Sequence, residues 1–312
     1  MEELARKILT AAHETQVSDV YLLPDGEDFR LYFRDANVRR LVQKVDGAQA
    51  HALIAHFKFV AGMNVGEKRR SQLGACVYQL TDARSQRLRL STVGDFSGRE
   101  SLVIRLLHAS DEPLDFWFDG LSDAEKLISG RGLYLFSGPV GSGKTSLMMA
   151  LARAKFAQKQ VITIEDPVEI IDSHFLQLQR NDLIGATYED LITLSLRHRP
   201  DLVIVGEIRD ELTARSVIRA SLTGYTVFST VHAKSISGVY ARLRELGVTA
   251  GELENSLSGV IYQRLISGRG LIDAADGNYK EYTHGNWNKK LDTLVAKGFI
   301  SHALSAQEKI IA

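Results

Sequence analysis

The sequence predicts an α/β protein in two parts, a smaller α+β domain followed by a domain built on a parallel sheet. In the second part, apolar runs of strand length alternate with helix-forming stretches, which is the pattern of a parallel sheet covered by helices. One of these runs, LYLF, leads into the glycine-rich segment GPVGSGKTS and then into a helix-forming run. The first part, of about 105 residues, has the size of an independent domain.

Composition predicts a cytoplasmic protein that meets a membrane only through a partner. The chain has 312 residues, and its 38 acidic and 38 basic residues balance, which gives no reason to expect direct nucleic-acid binding. The single cysteine, Cys76, excludes an intrachain disulfide and a cysteine-based zinc site, as expected in a reducing compartment. No apolar run approaches the roughly 18 residues of a membrane span, and we see no signal peptide.

The first domain, residues 1–108, is predicted to combine helices with short strands. Residues 1–15 carry apolar side chains at helical spacing, and a second helix is predicted over 48–61. The strand candidates are rich in leucine, β-branched and aromatic residues. They are residues 19–24, 29–33, 76–80, 87–92 and 101–106.

An acidic, proline-containing stretch, ASDEPLDFW, interrupts this pattern, and we place a linker at 109–118. The core of the second domain follows at 119–266. A helical tail is predicted at 267–312, with its last helix near 289–297. The predicted core strands are residues 132–137, 160–165, 201–206 and 225–231.

The segment GPVGSGKTS matches the phosphate-binding P-loop pattern, G-x-x-x-x-G-K-[ST], between a strand and a helix. Its glycines let backbone N–H groups turn inward, and the helix N-terminus adds partial positive charge. Lys144 is predicted to reach the outer phosphates, and Thr145 to hold Mg2+ through its hydroxyl. A chance match in a loop is the alternative. The predicted nucleotide-binding residues are Gly138, Pro139, Val140, Gly141, Ser142, Gly143, Lys144, Thr145 and Ser146.

Two further predicted strands end in carboxylates, and ligands of open α/β sheets bind at the carboxyl ends of strands. The run VITIEDPVE places Glu165 at such an end. The run DLVIVGEIRD has Gly206 where these strands usually carry an aspartate, followed by Glu207. A carboxylate in this position orients a magnesium-bound water or the attacking water. Solvated strand ends are the alternative interpretation.

A third predicted strand ends in a histidine. His232 follows the apolar strand of the segment TGYTVFSTVHA, beside Thr230. A lone histidine is more often a structural residue, but in this position it is predicted to sense the γ-phosphate or to relay the nucleotide state. Glycine at Gly206 and Gly224 is expected to allow a close approach of the backbone in the same crevice.

Together these segments resemble the secretion ATPases of type II secretion and type IV pilus assembly. That family carries a Walker A box, an Asp box, an atypical Walker B box and a His box, here GPVGSGKT, ITIEDPVE, LVIVGEIRD and TGYTVFSTVHA. In the first domain, segments that begin at Ser18, Glu67 and Arg89 are also similar to family segments, although Tyr21 replaces the family's histidine. The resemblance covers roughly residues 15–266.

The resemblance implies a RecA-like P-loop NTPase domain preceded by a PAS-like α+β domain. It implies that Glu207 or Glu165 is the general base, and the sequence does not decide between them, although we favour Glu207. Arg89 and Arg105 match arginines that reach the phosphates as arginine fingers; ordinary strand-surface arginines are the alternative. The implied catalytic residues are Glu207, Glu165, His232, Arg89, Arg105 and Arg209, with Thr145 and Glu207 at the magnesium ion.

The same resemblance implies a motor and its partners. The ligands would be ATP and Mg2+, without the zinc module that many relatives carry. The compact, cysteine-poor chain is similar to the assembly ATPases of Gram-positive competence pseudopili. This implies a homohexameric ring that drives an inner-membrane platform protein and binds no nucleic acid stably. The alternatives are a retraction or conjugation-type motor, a nucleic-acid-translocating RecA-like ATPase, and a nucleotide-binding regulator without turnover.

Overall fold

Strand pairing builds two separate sheets, one in each of two units, Met1–Asp111 and Glu112–Ala312. The structure, a computed structural model, describes residues 1–35, 38–107 and 114–310. The first half of the predicted linker, residues 109–113, lies outside these ranges. Part of the second half is not a linker, because Phe116 and Trp117 are buried within the apolar clusters of unit 2.

Unit 1 is an α+β domain with one antiparallel sheet. Its elements are α1 (Glu2–Glu14), β1 (Asp19–Asp25), β2 (Asp28–Asp35), β3 (Val38–Val45), α2 (Gly47–Val60), β4 (Gln72–Thr81), β5 (Arg84–Gly94) and β6 (Glu100–Leu107). The strand order is β3-β2-β1-β6-β5-β4. The N-terminal and C-terminal strands of the unit therefore lie side by side at the centre of the sheet.

Both helices of unit 1 pack on the same face of its sheet. Leu9 of α1 and Phe57 of α2 share one apolar cluster with strand residues such as Leu22, Leu31 and Leu90. Side chains alternate between the two faces along a strand, so the residues next to these point to the opposite face. We call this opposite face the open face; it carries Asp19, Arg34, Arg89 and Arg105.

β3 is absent from the sequence-based predictions. It is an edge strand that, among the described residues, pairs only with β2, and all of its residues except Val45 are exposed. Because an edge strand of this kind buries no face, its sequence lacks the alternation that identifies a strand.

Unit 2 is a parallel-rich sheet with helices on both faces, as predicted. Its elements are α3 (Gly120–Leu127), β7 (Gly132–Ser137), α4 (Lys144–Phe156), β8 (Val161–Glu165), β9 (Leu176–Gln179), α5 (Tyr188–Leu196), β10 (Leu202–Val205), α6 (Glu211–Leu222), β11 (Thr226–Val231), α7 (Ile236–Glu245), α8 (Ala250–Ser256), β12 (Leu257–Ile266), β13 (Arg269–Ala275), α9 (Gly285–Ala296) and α10 (His302–Glu308). The order is β13-β12-β7-β11-β10-β8-β9, and every pairing except that of β13 is parallel.

The predicted helical tail at 267–312 is wrong in its first part. Residues Arg269–Ala275 form β13, which pairs antiparallel with β12, and its Leu271 and Ile272 are buried. The helices that follow do not form a separate region, because Trp287 and Leu291 of α9 belong to the same apolar cluster as the central strands. The chain after residue 266 therefore completes the core of unit 2.

The helices of the described ranges are short. The longest of them, α2, has 14 residues. None combines the length and the apolarity that crossing a membrane requires.

Candidate nucleotide site

The predicted site residues of unit 2 lie at one edge of its sheet. β7, β11, β10 and β8 are consecutive parallel neighbours, so their carboxyl ends meet at this edge. The P-loop follows β7, whereas Glu165 ends β8, Glu207 comes shortly after β10, and His232 follows β11. The strand order thus brings together segments that are far apart in the chain.

The P-loop depends on glycine at several positions. Gly138, Gly141 and Gly143 have φ angles of 145°, 76° and 84°, which other residues rarely adopt. A Cβ on Gly138 would lie 2.0 Å from the carbonyl oxygen of Gln263 in β12. The loop is therefore packed directly on the neighbouring strand, and its positive φ angles require glycine.

Lys144 begins α4 and folds back over the P-loop. Its Nζ donates hydrogen bonds to the carbonyl oxygens of Gly138, at 3.0 Å, and Pro139, at 2.7 Å. Burial lowers the pKa of Lys144, while the charges of Glu207 and Glu169 act in the opposite direction. The ammonium group therefore lies among loop carbonyls near acidic residues.

Glu165 is buried at the end of β8, with 5% of its surface exposed. Its Oε1 accepts hydrogen bonds from Thr163 Oγ1, at 2.6 Å, and Gln177 Nε2, at 3.3 Å. Burial raises the pKa of the Glu165 carboxyl, although these hydrogen bonds act against the shift. A carboxyl with a raised pKa suits proton transfer near neutral pH, but this one is poorly accessible to water.

We expect Glu165→Gln to remove a pH dependence from the free energy of unfolding. The pKa of Glu165 is raised in the folded chain, so its contribution to stability is complete below the unfolded pKa and is lost as pH rises through the folded pKa. Glutamine keeps the size and an oxygen acceptor but stays neutral. The melting temperature of the variant relative to wild type should therefore increase as the pH rises above the ordinary glutamate pKa of 4.5 in thermal unfolding experiments. If the difference in melting temperature between Glu165→Gln and wild type is the same at every pH, burial does not raise the pKa of Glu165.

Glu207 contacts two of the other predicted site residues. His232 Nε2 lies 3.8 Å from Glu207 Oε2, and Arg209 Nη2 binds the other oxygen, Oε1. The Glu207 side chain is 18% exposed, compared with 51% for His232. Glu207 is thus held by a guanidinium on one side and remains accessible near the imidazole on the other.

Two glycines were expected to mark a close approach of the backbone, and only one of them does. A Cβ on Gly206 would come within 3.4 Å of the Glu165 Cα and the Tyr188 hydroxyl, so the chain passes tightly beside β8 here. The expectation for Gly224 is wrong, because the nearest atom to a Cβ there is Arg131 Nη1, at 3.9 Å. Its φ of 94° is the reason for glycine at that position.

A cavity of about 500 Å³ opens between the P-loop and the segment after β11. Its walls include Pro139 and His232, together with Arg264 of β12 and Glu308 of α10. Arg264 Nη1 donates a hydrogen bond to Glu308 Oε2 at 2.8 Å, and its guanidinium lies over the Trp287 ring. Sequence motifs do not indicate Arg264 or Glu308, because both lie outside the four boxes and only the fold brings α10 to the P-loop.

The predicted arginine fingers belong to unit 1 and lie on its open face. Arg89 on β5 and Arg105 on β6 are directly opposite each other in the antiparallel register. Arg105 Nε donates to Asp19 Oδ1 at 2.8 Å, whereas Arg89 has no ion-pair partner within the described part of the chain. A role of these arginines at the nucleotide stays a prediction.

The chain is similar to known secretion and competence proteins over most of its length. Residues 1–288 match the family model described as type II/IV secretion system protein. The competence protein ComGA of Streptococcus pneumoniae is 54% identical over 310 residues, which cover 99% of each chain. ComGA of Bacillus subtilis is 33% identical over 273 residues, covering 85% of this chain and 76% of that one.

Solved structures share the fold at low sequence identity. The pilus retraction motor PilT with bound ADP aligns with a TM-score of 0.75 and 21% identity over 98% of this chain and 97% of that chain. The ATPase DotB of Legionella pneumophila aligns with a TM-score of 0.72 and 18% identity over 98% and 95% of the respective chains. At these identities the likeness concerns the fold, and it confirms the α/β architecture predicted from the sequence.

Proposed function

The chain belongs to the type II/IV secretion system protein family, and we propose that it is the ATP-hydrolysing motor that powers assembly of a competence pseudopilus. The observation that carries this proposal is the position of Glu207, 3.8 Å from His232, at the sheet edge that also holds the P-loop. A carboxylate and an imidazole beside a phosphate-binding loop suit activation of a water next to the γ-phosphate. The 54% identity to a full-length ComGA supports the competence assignment.

Binding of the triphosphate falls to the P-loop and the start of α4. Backbone N–H groups and the helix N-terminus would hold the phosphate oxygens, and Lys144 would exchange its contacts with the loop carbonyls for the outer phosphates. The Thr145 hydroxyl and the Glu207 carboxylate fit Mg2+, which prefers oxygen ligands. When bound, the ion neutralises charge on the β- and γ-phosphates.

Hydrolysis then requires a carboxylate that water can reach. Glu207 meets this requirement better than Glu165, because Glu165 is 5% exposed and already accepts hydrogen bonds from Thr163 and Gln177. Glu207 would orient the attacking water and accept its proton, while Arg209 holds one of the carboxylate oxygens. His232, next to the other oxygen, would report the presence of the γ-phosphate to the segment that follows β11.

The nucleotide cycle would be coupled to motion and so produce work. Arg89 and Arg105 would stabilise charge on the transferring phosphoryl group, as the resemblance to the secretion ATPases implies. Closure of domains around a ligand is an established way to couple chemistry to motion. In a homohexameric ring at the cytoplasmic face of the membrane, this motion would act on a membrane platform protein that assembles pseudopilin subunits.

We expect Arg89→Ala and Arg105→Ala each to lower kcat for ATP hydrolysis by tens- to roughly a hundredfold. Each substitution leaves one of the two cations in place. The decrease in kcat should therefore be smaller than the decrease caused by removing an arginine finger that acts alone. Steady-state kinetics of the full chain measure the effect, and Arg84→Ala, at the exposed start of the same strand β5, is the matched control. Unchanged kcat in both variants would remove the arginines from the mechanism.

The proposed function is tested by an ATPase assay and an assembly assay. Purified full-length chain should hydrolyse ATP at a rate that single-stranded DNA does not change. Strong stimulation by DNA would instead support a nucleic-acid translocase. Cells that lack the gene should fail to assemble the pseudopilus, and assembly that proceeds normally without it would contradict the motor assignment.

A further inference from the structure

One row of the unit 1 sheet concentrates arginines on the open face. Asp19 on β1 lies opposite Arg34 on β2 and also opposite Arg105 on β6. Arg105 in turn lies opposite Arg89 on β5. Like charges directly opposite each other on neighbouring strands destabilise a sheet. Arg105 and Arg89 form such a pair, and Asp19 is the acidic residue of this row.

Asp19 is held from two sides and is almost inaccessible to solvent. Arg105 Nε donates to Asp19 Oδ1 at 2.8 Å, and Ser18 Oγ donates to Asp19 Oδ2 at 2.8 Å. The Asp19 side chain is 6% exposed, whereas that of Arg105 is 59% exposed. The carboxylate is thus shielded from solvent, and the guanidinium that it binds remains accessible.

Stability alone is a weak reason for this arrangement. An ion pair with one partner in solvent contributes little, whereas burying a carboxylate is unfavourable. The pair of Asp25 and Arg30, at 2.6 Å on the same face at the other end of β1, avoids this cost because its carboxylate is 36% exposed. Asp19 differs in being buried and in restraining an arginine that stands beside Arg89, a second cation.

We propose that Asp19 is a positioning residue for ATP hydrolysis, which restrains the Arg105 guanidinium beside Arg89 so that both cations act on one phosphoryl group. This inference rests on the proposed role of the two arginines. Without the carboxylate, repulsion from Arg89 would drive the exposed Arg105 side chain away from the row. The pair would then lose the fixed geometry on which charge stabilisation in the transition state depends.

The test measures kcat and KM for ATP with full-length Asp19→Asn, Arg105→Ala and the double variant. Asp19→Asn should lower kcat roughly ten- to a hundredfold, because small misplacements of a catalytic group have effects of this size. KM should change much less, since the arginine acts on charge that develops in the transition state. In the Arg105→Ala background, Asp19→Asn should cause no further decrease in kcat, because the Arg105 side chain that Asp19 positions is already absent. Asp25→Asn is the matched control and should leave kcat unchanged.

The outcomes separate this inference from the proposed function. If Arg105→Ala leaves kcat unchanged, the proposed role of Arg105 in hydrolysis fails, and the positioning role of Asp19 fails with it. If Arg105→Ala lowers kcat but Asp19→Asn does not, or if the two losses multiply in the double variant, only the positioning role of Asp19 fails. A rise in KM with unchanged kcat for Asp19→Asn would also overturn it.

Thermal unfolding of each variant controls for loss of the fold. If Asp19→Asn does not fold, Ser18→Ala replaces it in the test, because this change keeps both charges and removes one hydrogen bond to Asp19. We expect a kcat lowered severalfold for Ser18→Ala, and again no further loss in the Arg105→Ala background. A folded Ser18→Ala protein with wild-type kcat would contradict the proposal.

Discussion

Lys144→Ala is expected to lower ATP hydrolysis by at least about a thousandfold and to weaken ATP binding. Alanine removes the ammonium group that lies over the P-loop and that would follow the outer phosphates as charge develops on them. The rate is measured by phosphate release from the full-length chain, and affinity by titration with a fluorescent ATP analogue. Pseudopilus assembly in cells that carry the variant should fail.

Lys159→Ala is the matched control for this substitution. Lys159 follows the same helix, and its Nζ lies 5.2 Å from the centre of the Phe156 ring, away from the P-loop. It should therefore leave ATP binding and hydrolysis unchanged. If Lys144→Ala kept wild-type hydrolysis and assembly, a scaffold or regulatory role without turnover would replace the motor.

Glu207→Gln is expected to lower kcat by about a thousandfold while ATP still binds. Glutamine keeps the shape of the side chain but cannot accept a proton from the attacking water. The contact to Arg209 loses its charge, so the variant should also release that guanidinium. Single-turnover hydrolysis and equilibrium binding of ATP, measured on the same preparation, separate loss of chemistry from loss of binding.

Two other variants make this experiment decisive. Glu165→Gln tests the competing general base, whose pKa is raised by burial but whose carboxyl is nearly inaccessible. Glu211→Gln, in the exposed first turn of α6 where it pairs with Arg215, is the control and should have no effect. If Glu165→Gln abolishes hydrolysis and Glu207→Gln does not, the base is Glu165.

The sequence predicts the parallel sheet of unit 2 well but not all of its strands. β7, β8, β10 and β11 are buried along their whole length and mostly apolar because helices cover both of their faces, and this composition identifies them. The sequence predicts a helical tail where β13 lies. It is a strand because it pairs antiparallel with β12 at the edge of the sheet, and a pairing between segments is not visible in local composition.

The P-loop was determined by the sequence itself, because its geometry depends on consecutive residues with glycine where φ is positive. The order of the other boxes along the chain was enough to place Glu165, Glu207 and His232 at one sheet edge, since parallel strands align their carboxyl ends. Only the tertiary structure decided how these groups interact. The separation of 3.8 Å between Glu207 and His232, the pairing of Asp19 with Arg105 and the position of Glu308 beside the P-loop join residues of different elements. Such contacts depend on strand register and helix packing, and no local pattern of residues encodes them.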